Sequence, residues 1–234
     1  MAQATIDPTT NQSELQPATQ PLDTAAVVRH LAHELRQPLS TIEASTYYLK
    51  LILEEQDCGA LRQLDRIEQM VHQIGWILSD AVHYLQAATP RRQLLDLAET
   101  AGTAIASLTQ EQQVELDWSE ATPIPLVAMD PSQALHMMRS VLQVFRQVGR
   151  SEAPVSIALR SDQGCALITF SCEAPASVCE QCGELLHPFA AHLPAGAGLG
   201  LASVKRIAEA HGGAVRIFPQ GENLAFEIRL PSAL

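Results

Sequence analysis

An imidazole on the open face of a helix, with a carboxylate beside it, is a nucleophile with a base at hand. His33-Glu34 has that makeup. With Val28 as a buried helical position, His33 falls five residues later on the outward face. An imidazole's unperturbed pKa of about 6.5 leaves much of such a ring neutral at neutral pH. Glu34 can accept the proton of one ring nitrogen and so raise the nucleophilicity of the other. Gln37, one turn further along the same face, offers an amide to orient a water or a phosphoryl oxygen. A second group is the run Gly196-Ala197-Gly198-Leu199-Gly200, since glycines at the head of a helix let the backbone approach phosphates. A third is Cys172, Cys179 and Cys182 with His187, whose thiolates and imidazole would suit tetrahedral zinc. One Cys-x-x-Cys pair is weaker than two, so the preferred reading is reduced thiols without a bound metal. A redox pair of Cys179 and Cys182 is the other alternative.

These groups need elements to hold them. Met1 to about Thr24 is rich in Gln, Thr, Pro and Ala without an apolar period, and reads as a disordered leader (1–24). Val28, Leu31, Leu35, Ile42, Leu49 and Ile52 then recur at spacings built from threes and fours, which predicts a long amphipathic helix containing Pro38. Leu64, Ile67, Val71, Ile74, Leu78, Ala81 and Leu85 form a heptad seam on a second helix. The two make an antiparallel hairpin over residues 25–88 with more apolar surface than one hairpin can cover. Two copies face to face would form a four-helix bundle, so a homodimer is expected. The alternative is that the hairpin packs on the rest of its own chain.

Thr89-Pro90-Arg91-Arg92 breaks the pattern and reads as a linker, and residues 93–234 alternate strand and helix periods. Strands are expected at Leu94-Leu95, Val114–Trp118, Ile124–Met129, Val155–Arg160, Ala166–Ser171, Val215–Phe218 and Leu224–Leu230. Helices are expected over Asp96–Thr109, from Asp130-Pro131 to about Val148, and over Leu199–His211, with a loop-rich stretch before the last. The fold class is α+β, a helical hairpin followed by a two-layer sandwich.

Composition narrows the partners. The 234 residues, 47% of them hydrophobic, exclude wholesale disorder, and 26 acidic against 15 basic residues give a net charge of -11 that argues against nucleic acid. The apolar runs fall short of the roughly 20 residues of a membrane span, and the first residues lack the features of a signal peptide. No membrane partner and a cytoplasmic location are expected.

The run His33-Glu34-Leu35-Arg36-Gln37-Pro38-Leu39 resembles the phosphoacceptor box of two-component histidine kinases, including its proline. Gly196 to Leu201, then Val204, Ile207 and His211-Gly212-Gly213, is similar to the last glycine box of that family's ATP-binding domain and the helix it opens. The resemblance covers about Ala25 to Pro231, with Leu230-Pro231 closing the chain as family members often do. It implies that His33, Glu34 and Gln37 form the catalytic group, that Gly196, Gly198 and Gly200 contact nucleotide if ATP and Mg²⁺ are bound, and that a response-regulator receiver domain is the partner.

Elsewhere the family pattern is broken. Where members carry two asparagines, the later one holding Mg²⁺, this chain has Ser140 and Val144. Where an aspartate receives the adenine amino group it has Cys172, with Glu173 as a displaced alternative. His187-Pro188-Phe189 resembles the family's phenylalanine box, and the six residues between Phe189 and Gly196 include no Lys or Arg. ATP binding is therefore expected to be lost. The expected function is phosphoryl exchange between His33 and a receiver aspartate, as phosphotransferase or phosphatase, reached by decay of a kinase. An ATP-dependent kinase and a non-catalytic scaffold or anti-kinase are the alternatives.

Overall fold

A computed structural model describes residues 24–53, 57–87, 90–106, 114–118, 124–150, 154–188 and 199–233. Residues 1–23 of the expected leader, Phe189, Gly196 and Gly198 lie outside them, and Thr24, the last residue of that leader, is the first of a helix.

Helix α1 (Thr24–Ile52) and helix α2 (Cys58–Gln86) form the hairpin. Pro38 lies inside α1. Ala32 and Thr46 of α1 and Leu64 and Val71 of α2 are buried. Lys50 fastens the far end, reaching Asp65 and Glu68 of α2 at 2.6 Å each. The apolar seam then divides. Leu31, Leu35, Ile42 and Leu49 on α1, with Ile67, Met70, Ile74 and Ile77 on α2, stay between 38% and 52% exposed. Their spacing makes a second apolar stripe, outside the hairpin's own contact.

Beyond the linker, strand β1 (Gln93–Leu95) and strand β3 (Val127–Met129) form a small antiparallel sheet. Helix α3 (Leu97–Ala106) and strand β2 (Val114–Trp118) lie between them in sequence. Helix α4 (Pro131–Val148) follows β3, then strands β4 (Val155–Asp162) and β5 (Cys165–Glu173). The segment expected to be a loop carries a short helix α5 (Ala176–Glu180) and a 3₁₀ turn (Cys182–Leu186). Pro175 stands at the N-cap of α5, and both pieces are too short for a helical period to show in the sequence. Helix α6 (Gly200–Ala210) and strands β6 (Ala214–Gln220) and β7 (Asn223–Pro231) complete the chain. The expected strand over Ile124–Met129 shrinks to β3, because Pro123 and Pro125 cannot donate to a ladder.

The main sheet has the order β2-β4-β5-β7-β6, antiparallel except for the parallel β2–β4 pair. Its register lines Ile157, Phe170, Phe226 and Ile217 across four strands. Phe145 of α4 packs edge-on against Phe226, with ring centroids 6.3 Å apart and planes at 76°. Met137, Met138, Val141 and Leu142 of α4 join the same core. At the end of α6, Gly212 takes a φ of +78° and Gly213 lies so close to the Arg229 carbonyl that a Cβ has no room.

Asp130 starts α4. Its carboxylate accepts from the backbone N–H of Ser132, Gln133 and Arg91 and from the Ser132 hydroxyl. Burial pushes its pKa up, but these bonds outweigh that and hold the carboxyl below its ordinary value. Asp130→Ala should therefore lower stability by roughly 1–2 kcal/mol, read as the shift of a urea-unfolding midpoint at neutral pH.

Candidate functional site

His33 stands on α1 with 70% of its side chain exposed, as its spacing from Val28 predicts. Gln37, one turn on, and Glu34 are also exposed. His33 Nδ1 lies 4.0 Å from Glu34 Oε1, beyond hydrogen-bond range, because consecutive residues on a helix point in diverging directions. The carboxylate is a nearby charge that does not hydrogen-bond the ring in this arrangement.

The residues of the glycine-box side are arranged quite differently. Gly200 is the first residue of α6, and a Cβ there would stand 2.9 Å from Val144 Cγ2 and 3.4 Å from Asp80 Oδ2. The missing side chain at this glycine admits protein. Val144 is 2% exposed and offers no ligand atom, and the Ser140 hydroxyl donates to Asp80 Oδ1 at 3.0 Å. Between α2 and α4 remains a cavity of about 10 Å³, lined by Trp76, Asp80, Ser140 and Val144 among others. That is room for one water at most. Cys172, at the place of the adenine acceptor, is buried with its Sγ against the Phe145 carbonyl at 3.6 Å, and burial pushes the thiol up to about 12. Glu173 pairs with Arg150 at 2.6 Å. Among the described residues, no three His, Cys, Asp or Glu side chains stand together as metal ligands.

A group that the sequence did not single out lies where α2, α4 and α6 meet. His136 Nε2 stands 3.2 Å from Asp80 Oδ1, 3.3 Å from Ser140 Oγ and 3.4 Å from Ser203 Oγ. With its proton on Nε2, His136 and Ser140 both donate to the one carboxylate oxygen. The His83 ring stacks on His136 at 3.8 Å. The sequence signal was polar residues recurring at helical spacing, Asp80 and His83 on α2 and Gln133, His136 and Ser140 on α4. So the alternative of a hairpin packing on its own chain is realised for the second half of α2.

His83 is held neutral. Burial is the main cause and His136 beside it adds to it, lowering the pKa from 6.5 to about 4. His211 is lowered as well, by burial first. Its Nδ1–H donates to the Ile207 carbonyl and its Nε2 accepts from the Asp130 N–H, so protonation would destroy that acceptor. The unfolded chain takes up these protons more readily than the folded one. Stability from both rings is therefore complete above the ordinary imidazole value of 6.5 and declines as pH falls below it, for His83 down toward about 4. Thermal unfolding followed across that window should show a falling midpoint, and His83→Phe should flatten part of the slope.

Sensor histidine kinase ZraS of Salmonella typhi is 24% identical over 212 residues, covering 86% of this chain and 44% of that protein. Sensor histidine kinase CssS of Bacillus subtilis is 21% identical over 216 residues, covering 88% and 46%. The chain thus spans less than half the length of these relatives. No family model matches it. Among solved structures, full-length ShkA in complex with AMPPNP is similar with a TM-score of 0.64 at 18% identity, over 89% of this chain and 46% of that one. Histidine kinase AdeS of Acinetobacter baumannii is similar with a TM-score of 0.54 at 19% identity, over 86% and 98%. The chain is thus similar in sequence to sensor histidine kinases and shares the fold of histidine kinases of solved structure over most of its length.

Proposed function

We propose that this chain exchanges a phosphoryl group between His33 and the aspartate of a response-regulator receiver domain, without using ATP. The observation that carries the reading is the contrast between the two halves of the family's chemistry. His33 is open to a partner, while Gly200, the first residue of α6, packs against Val144, Asp80 and Ser140. In the forward direction, the unprotonated ring nitrogen of His33 attacks the phosphorus of the receiver's aspartyl phosphate. A P–N bond forms, the P–O bond to the aspartate breaks, and the aspartate leaves as a carboxylate. The reverse transfer runs through the same geometry, with Mg²⁺ supplied by the receiver. In a hydrolytic mode Gln37 orients water toward the aspartyl phosphate and Glu34 draws off its proton.

Two copies joined through the exposed stripe, Leu31, Leu35, Ile42 and Leu49 with Ile67 and Ile74, make the active unit. No described helix is long and apolar enough to cross a membrane, which fits a chain that works in the cytoplasm.

Incubation of the purified chain with a receiver pre-phosphorylated by a small-molecule donor should move label to His33, or release phosphate. His33→Ala should abolish both while leaving the dimer intact. Label on His33 from ATP alone would sink the proposal. Ile42→Glu and Ile74→Glu should each shift the chain toward monomer in sedimentation, because a charge in a buried seam is costly.

A further inference from the structure

Two imidazoles from the two halves of the molecule lie face to face. His83 belongs to α2 of the hairpin and His136 to α4 of the sandwich, with ring centroids 3.8 Å apart and planes at 16°. The pair is poorly supplied with acceptors. His136 Nε2 has Asp80 Oδ1 at 3.2 Å, whereas Nδ1 of His83 is shut off from solvent and has no hydrogen-bond partner. A proton added to His83 would set a cation against the neighbouring ring, with no oxygen to receive the new N–H. An unpaired buried donor costs much more when it is charged than when it is neutral.

The groups that face the pair do not relieve that cost. From α1, Arg36 opposes a proton on His83, and from the N-cap of α4, Asp130 favours one. Burial and the His136 ring outweigh the acid, and the pKa falls to about 4. On α2 itself, Asp80 is taken up by Ser140 and His136. From α6 come the uncharged Ser203 hydroxyl, 3.4 Å from His136 Nε2, and Arg206, whose guanidinium lies 4.7 Å over the Tyr84 ring of α2. Parting α2 from α4 and α6 would bring His83 to water, where an imidazole takes its proton near 6.5. Each half has an interior that does not titrate in that range. The hairpin closes on Ala32, Leu64 and Val71, and the sandwich on Met138, Val141, Leu142 and Phe145. We infer that the His83–His136 stack is a proton-operated latch between hairpin and sandwich: a proton on His83 releases α2 from α4 and α6 while each half keeps its fold. The latch rests on the ring contact and does not require phosphoryl transfer at His33. His211 is also kept neutral by burial, but its partners Ile207 and Asp130 both lie in the sandwich, so its protonation does not part the two halves.

Amide hydrogen exchange of the whole chain at about pH 7.5 and about pH 5, each corrected for the rate of an unstructured peptide at that pH, tests it. In the wild type, acid should raise exchange roughly thirtyfold in residues 79–86 and 200–206, the factor that a fall in pKa from 6.5 to about 4 produces. The centres of β5 and β7 should not change. His83→Phe keeps a flat ring over His136 that takes no proton, and His83→Gln keeps a neutral polar side chain. Both should hold the same segments at their neutral-pH rates. If the Phe variant does not fold, the Gln variant carries the comparison, and if neither folds the wild-type profile decides. No rise in the wild type overturns the latch, and so does a rise that includes the centres of β5 and β7. An equal rise in a His83 variant also overturns it, since the proton then acts at another group. Phosphoryl exchange, measured separately at His33, reports on the proposed function alone.

Discussion

Asp130 ties three segments at one point, and the position of everything downstream depends on it. Its carboxylate caps α4 and takes the Arg91 N–H from the linker, while its own N–H donates to His211 at the end of α6. With those ends pinned, α6 runs back along α4 so that Gly200 meets Val144 and Ser140. The linker also delivers the end of α2 to the start of α4, where Gln133 Nε2 donates to the Gln86 carbonyl at 3.3 Å. From Gln86 back to Asp80 is six residues, and from Gln133 on to Ser140 is seven, rises of about 9 and 10.5 Å at helical pitch. The antiparallel helices keep register over that length, and Asp80 arrives opposite Ser140.

Helix α4 therefore serves two surfaces with two chemistries. Met138, Val141, Leu142 and Phe145 join the core beneath the sheet. Gln133, His136 and Ser140, spaced i, i+3 and i+7, form a buried polar stripe toward α2 and α6. A polar stripe adds little net stability over an apolar one, since desolvation offsets much of what its bonds contribute. What it adds is selectivity of register: a slip of one residue would leave Asp80 buried without a donor. The apolar stripe of Leu31, Ile42, Ile67 and Ile74 has no such restriction and suits association with a second copy.

Legibility in the sequence followed the range of the contacts. The long helices and the strands β4, β5 and β7 were readable because their apolar periods are local, and His33 because its neighbours within a few positions carry the pattern. The parallel pairing of β2 with β4 was not, since its partners lie some forty positions apart and nothing in either segment names the other. The Asp80 group was hidden for the same reason: its members come from α2, α4 and α6, up to 123 positions apart from Asp80 to Ser203. The motif comparison flagged Ser140 and Val144 as departures from the family. It took the packing at Gly200 to show what those residues do instead.

The distribution of charge bears on how a partner reaches His33. The chain carries 26 acidic and 15 basic residues, a balance that would repel an incoming aspartyl phosphate if it were evenly spread. It is not even along α1. Between Thr24 and Ser40 the charged residues are Arg29 and Arg36 against Glu34 alone, whereas Glu43 and the Asp65 and Glu68 pair that holds Lys50 lie toward the other end of the hairpin. In the proposed transfer, an acyl phosphate approaching the exposed imidazole would meet this locally basic stretch of α1.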